Sequence, residues 1–246
     1  MIHLFEAAVF ITYSFLAAII TAAGSTLVSN VLSLGGINLI KATGLTSSYF
    51  LVNAVIVMYV FKKDIAWREI KNLFPITIIG AFLGALFLVN ISPIILLSLM
   101  FAFSLYYIYK KVRIVEGEKP KQDSFWKEQF VGLFAGAVTG AALPGGGFLN
   151  SYFASKGFTL QQMFATTNFL LILVFAVKVS VMFDAGLLVP TDLIGVGIAF
   201  PFLILANIFV RKGLIKVSRS AADKITILAM SLFSLYALVI IIRSFL

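Results

Sequence analysis

Inside an apolar stretch past the middle of the chain, the run Leu143-Pro144-Gly145-Gly146-Gly147 is followed within four residues by Asn150 and Ser151. Proline has no backbone N–H and its ring collides with the preceding helical turn, so a helix that enters this run must break. A half-helix restarting at the glycines would aim several unpaired N–H groups, and the positive end of its dipole, at whatever lies in front of it. That is the chemistry of an anion site. Glycine permits close approach to the backbone, and Asn150, Ser151, Thr166, Thr167 and Asn168 could surround the same point with neutral polar groups. The competing reading gives Gly145, Gly146 and Gly147 to tight helix packing. Three consecutive glycines after a proline exceed what packing alone asks for.

Lys178 is the only basic residue well inside an apolar span of the second half, eleven residues beyond Thr167 and so on the same helical face. An ionisable group at that depth is a functional candidate, although a lysine near a helix end also snorkels to the surface or reaches a neighbour such as Asp184. In the first half, Thr46 is a further candidate, and Ser47, Ser48 and Tyr49 sit where the chain should mirror Thr166, Thr167 and Asn168. Asn53 and Asn207 could line a path, with interhelical hydrogen bonding the commoner job for each. No acid falls in the middle of a span, which argues against a metal-cation pump or a proton relay. There is no HExxH, no Walker lysine and no GxSxG, so an enzyme has little to stand on and no cofactor or metal is expected.

These groups must be positioned by a membrane protein. Of the 246 residues, 61% are hydrophobic and 12% charged, against roughly 25% charged in a soluble domain. The runs Ala42 to Phe61, Leu73 to Tyr109 and Ile225 to Ile242 each reach the roughly 20 apolar residues of a spanning helix. The longest hydrophilic stretch, Lys110 to Lys127, is a connector containing Gly117 and Pro120, so one integral membrane domain, 1–246, is expected. The chain has no cysteine and one histidine, His3, which at the terminus reads as a solvated polar residue. No Lys or Arg precedes the apolar run in Met1 to Gly24, which is read as a retained first helix and not as a leader.

Positive charge sets the orientation. Lys and Arg gather at 62–71, 110–127 and 211–224, and these three connectors should face the cytoplasm. The net charge of +9 is thus a topology signal, and nucleic-acid binding is not expected. With those anchors Ala42–Phe61, Asn72–Val89 and Pro93–Tyr109 cross the bilayer in the first half, and Thr159–Phe183, Leu193–Val210 and Ile225–Ile242 in the second, in opposite directions. Leu4 to Ile40 and Phe130 to Ser155 must then begin and end on one side. The expected fold is all-α, with two inverted-topology repeats, each a broken or re-entrant helical hairpin plus three transmembrane helices. Repeat 1 covers about 1–110, the cytoplasmic connector about 111–128 and repeat 2 about 129–246. Ala42-Thr43-Gly44-Leu45-Thr46-Ser47 aligns with Ala165-Thr166-Thr167-Asn168, a spacing of about 123. The rival, eight simple helices in two parallel repeats, would turn one basic loop outward.

The chain resembles the TauE/SafE family of sulfite and organosulfonate exporters. The residues that carry the resemblance are Gly132-Leu133-Phe134-Ala135-Gly136, Thr139-Gly140, Pro144-Gly145-Gly146-Gly147 and Ala165-Thr166-Thr167-Asn168 in the second half. In the first half they are Leu34-Gly35-Gly36, Ala42-Thr43-Gly44-Leu45-Thr46-Ser47, Gly80 and Gly84. Where the family's first copy has a glycine triplet, this chain reads Ala22-Ala23-Gly24-Ser25-Thr26, so a symmetric site is in doubt. The resemblance implies transport of small sulfur-containing anions, such as sulfite, sulfonates or sulfoacetate-like acids, or related organic anions, and a multi-pass home in the cytoplasmic (inner) membrane. The partners expected are a small anionic substrate and the lipid bilayer, with room left for a homo-oligomer. The rival functions are a passive anion channel and a non-transporting membrane scaffold.

Overall fold

A computed structural model of the chain describes residues 2–17, 24–113, 125–141, 146–211 and 219–245. Among them all regular structure is helical. The helices are α1 (Ile2–Ala17), α2 (Gly24–Leu34), α3 (Leu39–Phe61), α4 (Trp67–Asn90), α5 (Pro93–Arg113), α6 (Phe125–Gly140), α7 (Gly146–Ser155), α8 (Leu160–Asp184), α9 (Ile194–Arg211) and α10 (Arg219–Phe245). Among the described residues, four stretches are long and apolar enough to cross a membrane, Leu39–Asp64, Trp67–Asn90, Gln161–Asp184 and Pro190–Phe209. Two more apolar stretches, Pro93–Tyr106 and Ser234–Arg243, lie within α5 and α10. The chain is a multi-pass membrane protein.

Each of the two stretches expected to be broken holds two separate helices, and residues 18–23 and 142–145 between them lie outside the described residues. A 16-residue helix is followed by an 11-residue one in the first half, and a 16-residue helix by a 10-residue one in the second. Each short helix then turns into a long one by the same device. The second residue after the short helix takes a left-handed conformation, Gly36 at φ 92° and Gly157 at φ 78°, which only glycine adopts without strain. Gly36 N–H returns to Ser33 O and Gly157 N–H to Ala154 O, each at 3.0 Å, closing the carbonyls of the short helix. Two residues on, a polar side chain caps the long helix. Asn38 Oδ1 accepts from Ile40 N at 2.9 Å, and Thr159 and Gln162 form a reciprocal capping box.

The pairs Gly36 with Gly157 and Asn38 with Thr159 both lie 121 positions apart. The turns thus differ from the expected spacing of about 123, which set Thr43 against Thr166: an offset of 121 sets Thr46 against Thr167. Matching Ala-Thr letters gave the offset, whereas the backbone turn and its cap define the equivalence.

Helices α3 and α8 form the central pair. They run antiparallel, with Gly44 against Met182, Phe50 against Phe175 at 5.9 Å between ring centroids and Phe61 against Phe164 at 5.6 Å. Around them α1 packs on α9, α4 on α6, α5 on α10, α2 on α3 and α7 on α8. The α4–α6 contact is the closest. A Cβ at Gly80 or Gly84 would fall onto the backbone of Leu133 or Ala137, and one at Gly136 or Gly140 onto that of Thr77 or Ala81. Without a hydrophobic driving force between helices in lipid, such backbone-to-backbone packing supplies the attraction. Each hairpin also has its own apolar cluster. Phe10, Tyr13, Val28 and Leu32 lie under the first, and Ala135, Leu149, Tyr152 and Phe153 under the second.

Candidate functional site

The expected glycine break falls between α6 and α7. Helix α6 ends at Gly140 and α7 begins at Gly146, while Pro144 and Gly145 lie outside the described residues. A Cβ built on Gly146 would lie 3.2 Å from Leu171 Cδ1 and 4.0 Å from Thr167 Cγ2. The start of α7 therefore rests on α8 between its eighth and twelfth residues of 25, close to the helix midpoint.

Side chains around that point divide by what their hydrogen bonds leave free. Thr167 Oγ1 donates to Asn150 Oδ1 at 2.7 Å, which locks α7 to α8 and turns the Asn150 Nδ2 donors away from that contact. Asn168 Nδ2 instead donates to Phe164 O at 2.8 Å, which leaves Asn168 an acceptor to present. Of the two asparagines, Asn150 has the polarity an anion needs. Ser151 Oγ donates to Gly147 O at 2.8 Å within its own helix. Thr166, fully buried, accepts from Ala66 N at 3.1 Å and so caps the entry of α4, away from the break.

Lys178 is 2% exposed and makes no hydrogen bond or ion pair with any described residue. A snorkelling lysine would keep its ammonium in water, and a lysine reaching Asp184 would be ion-paired, so neither bland alternative matches its surroundings. The antiparallel register sets Lys178 level with Ser47 of α3. On α3, Thr46 Oγ1 donates to Ala42 O at 2.7 Å and accepts from Ser29 Oγ at 3.1 Å, while Ser47 Oγ donates to Thr43 O at 2.7 Å. Tyr49 belongs to the core, stacked on Phe10 and bonded to Ser14 at 2.9 Å. Asn53 and Asn207 bond each other at 2.8 Å, the interhelical role the sequence favoured. The structure thus brings together Gly146, Gly147, Asn150 and Thr167. It sets Thr46, Ser47 and Lys178 further along the central pair and Thr166 on a different face.

The sequence matches the sulfite exporter TauE/SafE family over residues 6–238, which takes in both hairpins and the central pair. The chain belongs to the TauE/SafE family. No curated protein and no solved structure matches it. TauE/SafE proteins are membrane transporters of the sulfite exporter type. Among the described residues, no group of acids and histidines is placed to hold a metal ion.

One polar contact of this TauE/SafE chain escaped the sequence reading. Ser29 is the counterpart of Asn150 at the same 121-residue offset, and both partners lie 17 positions downstream, Thr46 and Thr167. Residue type hid the match, since serine and asparagine do not align by similarity. The equal 17-residue spacing was the available signal.

Proposed function

We propose that the chain is a secondary carrier of small anions in the cytoplasmic membrane, with sulfite, sulfonates and related sulfur-containing acids as its substrate class. The observation that carries this reading is a half-helix start set against the middle of α8, with Asn150 oriented by Thr167 to donate. The anion's charged head would be held by the N–H groups of Gly146 and Gly147, by Asn150 and by the Thr167 side of α8. Gly145 would complete the break. Lys178, about 10 Å further along α8 than Leu171, would add the attracting charge, with Thr46 and Ser47 level with it. Ser151, Asn168 and Asn53 would line the approach, and Thr166 would hold the α4 entry.

The single domain, 1–246, would be two inverted repeats joined by the 111–128 connector and working by alternating access. Support comes from the helix pairings. Exchanging the first five helices for the last five turns α1 on α9 into α6 on α4 and α2 on α3 into α7 on α8, and leaves α3 on α8 and α5 on α10 unchanged. Each hairpin joins the start of its long helix, and the long helices are antiparallel, so the hairpins would enter from opposite faces. The basic connectors would face the cytoplasm.

Binding of sulfite, thiosulfate, sulfonates and short carboxylates to the purified protein tests the substrate class. Saturable binding of the sulfur oxyanions with exchange of one for another supports a carrier, and flux that never saturates makes it a channel. Two variants locate the site. Asn150→Asp places a carboxylate among the donors and is expected to remove binding, whereas Asn168→Asp, already an acceptor, should cost much less. Lys178→Met should lower anion flux about tenfold or more, since charged hydrogen bonds contribute roughly 1.5–3 kcal/mol. A wild-type rate would make Lys178 a packing residue.

A further inference from the structure

Two sets of ion pairs lie at opposite ends of the central helix pair: one ties the α7–α8 turn to α4 and α6, the other ties the start of α3 to the turn that enters α9. At one end, Lys156, in the turn from α7 to α8, donates to Glu69 of α4 at 2.6 Å and to Glu128 of α6 at 2.5 Å. Asn72 of α4 donates to Glu128 at 3.3 Å, and Gln129 donates to the Asn72 carbonyl at 3.0 Å. The start of α6 and the end of α7 are thereby closed onto each other and onto α4. Burial alone would lower the Lys156 pKa, but its bonds to Glu128 and Glu69 outweigh that and hold it above the usual lysine range, so the cluster stays charged. At the other end Lys41, in the first turn of α3, pairs at 2.8 Å with Asp192, which also accepts from Val189 N just ahead of α9. Beside it Gly35 closes on the Phe5 ring and Gly195 on Glu6, which seals α1, the α2–α3 turn and α9.

We propose that these clusters are the two gates of the transport cycle. Lys156 with Glu69 and Glu128 latches the side of the second hairpin, Lys41 with Asp192 latches the side of the first, and the two release alternately. The proposal rests on the carrier reading. Both latches are closed here. They are unequal: the side chains of Lys156, Glu69 and Glu128 are 13%, 18% and 11% exposed, whereas at the other end Lys41 is 39% exposed and only Asp192, at 11%, is buried. A single pair whose lysine is solvated opens more readily than a triad buried on all three sides, whose loss strands charge. The resting protein should therefore open more often at the Lys41 end.

The chain has no cysteine, so Ser151→Cys gives a single reporter beside the break. It is read in sealed vesicles with a membrane-impermeant maleimide applied to either face, with no anion present. Wild-type background should label faster from the Lys41 face. Lys41→Ala with Asp192→Asn should raise labelling from that face about fivefold and leave the other face unchanged. Glu69→Gln with Glu128→Gln should raise labelling from the Lys156 face more than tenfold. If that variant does not fold, adding Lys156→Met removes the stranded charge and should give the same shift. The swap Lys41→Asp with Asp192→Lys should return labelling to the background rate. Equal increases on both faces, changes on the wrong face, or no change would overturn the gates. Because no anion takes part, such a failure leaves the anion site to be judged by its binding assays.

Discussion

Gly146→Leu is expected to abolish anion binding in a protein that still folds. The position tolerates a side chain structurally. Its backbone is not among the left-handed glycines, and among the described residues a Cβ there meets only Leu171 Cδ1 at 3.2 Å and Thr167 Cγ2 at 4.0 Å, both ends of side chains able to shift. Alanine should accordingly leave stability within about 1 kcal/mol of wild type. Leucine adds three further carbons next to the first N–H groups of α7, where the anion would sit. Losing two charge-assisted hydrogen bonds at roughly 1.5–3 kcal/mol each corresponds to an affinity drop of more than about 100-fold. Titration of the purified variant against sulfite measures it, alongside a thermal unfolding curve. Unchanged affinity would mean that the glycines serve the backbone and not a ligand.

Gly136→Leu should have the opposite profile, loss of the fold itself. A Cβ on Gly136 would coincide with the Thr77 carbonyl and crowd Ala81 N, and Gly140, Gly80 and Gly84 meet backbone in the same way across α4 and α6. No side chain can rotate aside, so the two helices must separate. Overpacking where the backbone itself must move exceeds the ordinary cost of about 1–3 kcal/mol, and packing is the main attraction between helices in lipid. The expected result is no monodisperse protein in detergent. Gly197→Ala on α9 is the control, since a Cβ there meets nothing within 4 Å, and it should behave as wild type.

These two glycines show how far the sequence could be read. A proline with three glycines inside an apolar run identified the α6–α7 break because no continuous helix accommodates it. The spans were legible from hydropathy, with ends that erred toward the lipid. The second span was placed from Asn72, but α4 starts at Trp67, since Arg68, Glu69 and Lys71 continue the helix beyond the apolar part. Thr166 and Thr167 looked equivalent as neighbours, yet a 100° step around α8 sends one hydroxyl to Ala66 and the other to Asn150. The Lys156 triad was not legible. Its partners lie 87 and 28 positions away, and only the folded bundle brings the ends of a broken hairpin beside α4.

The most direct test of the account is to locate a heavy analogue of the cargo. Selenite can stand in for sulfite, and its selenium can be placed by anomalous diffraction from crystals of the purified protein. The account predicts a peak within hydrogen-bonding reach of the first N–H groups of α7 and the Asn150 amide, against the middle of α8. A saturating complex with selenium elsewhere, and the start of α7 empty, would contradict it.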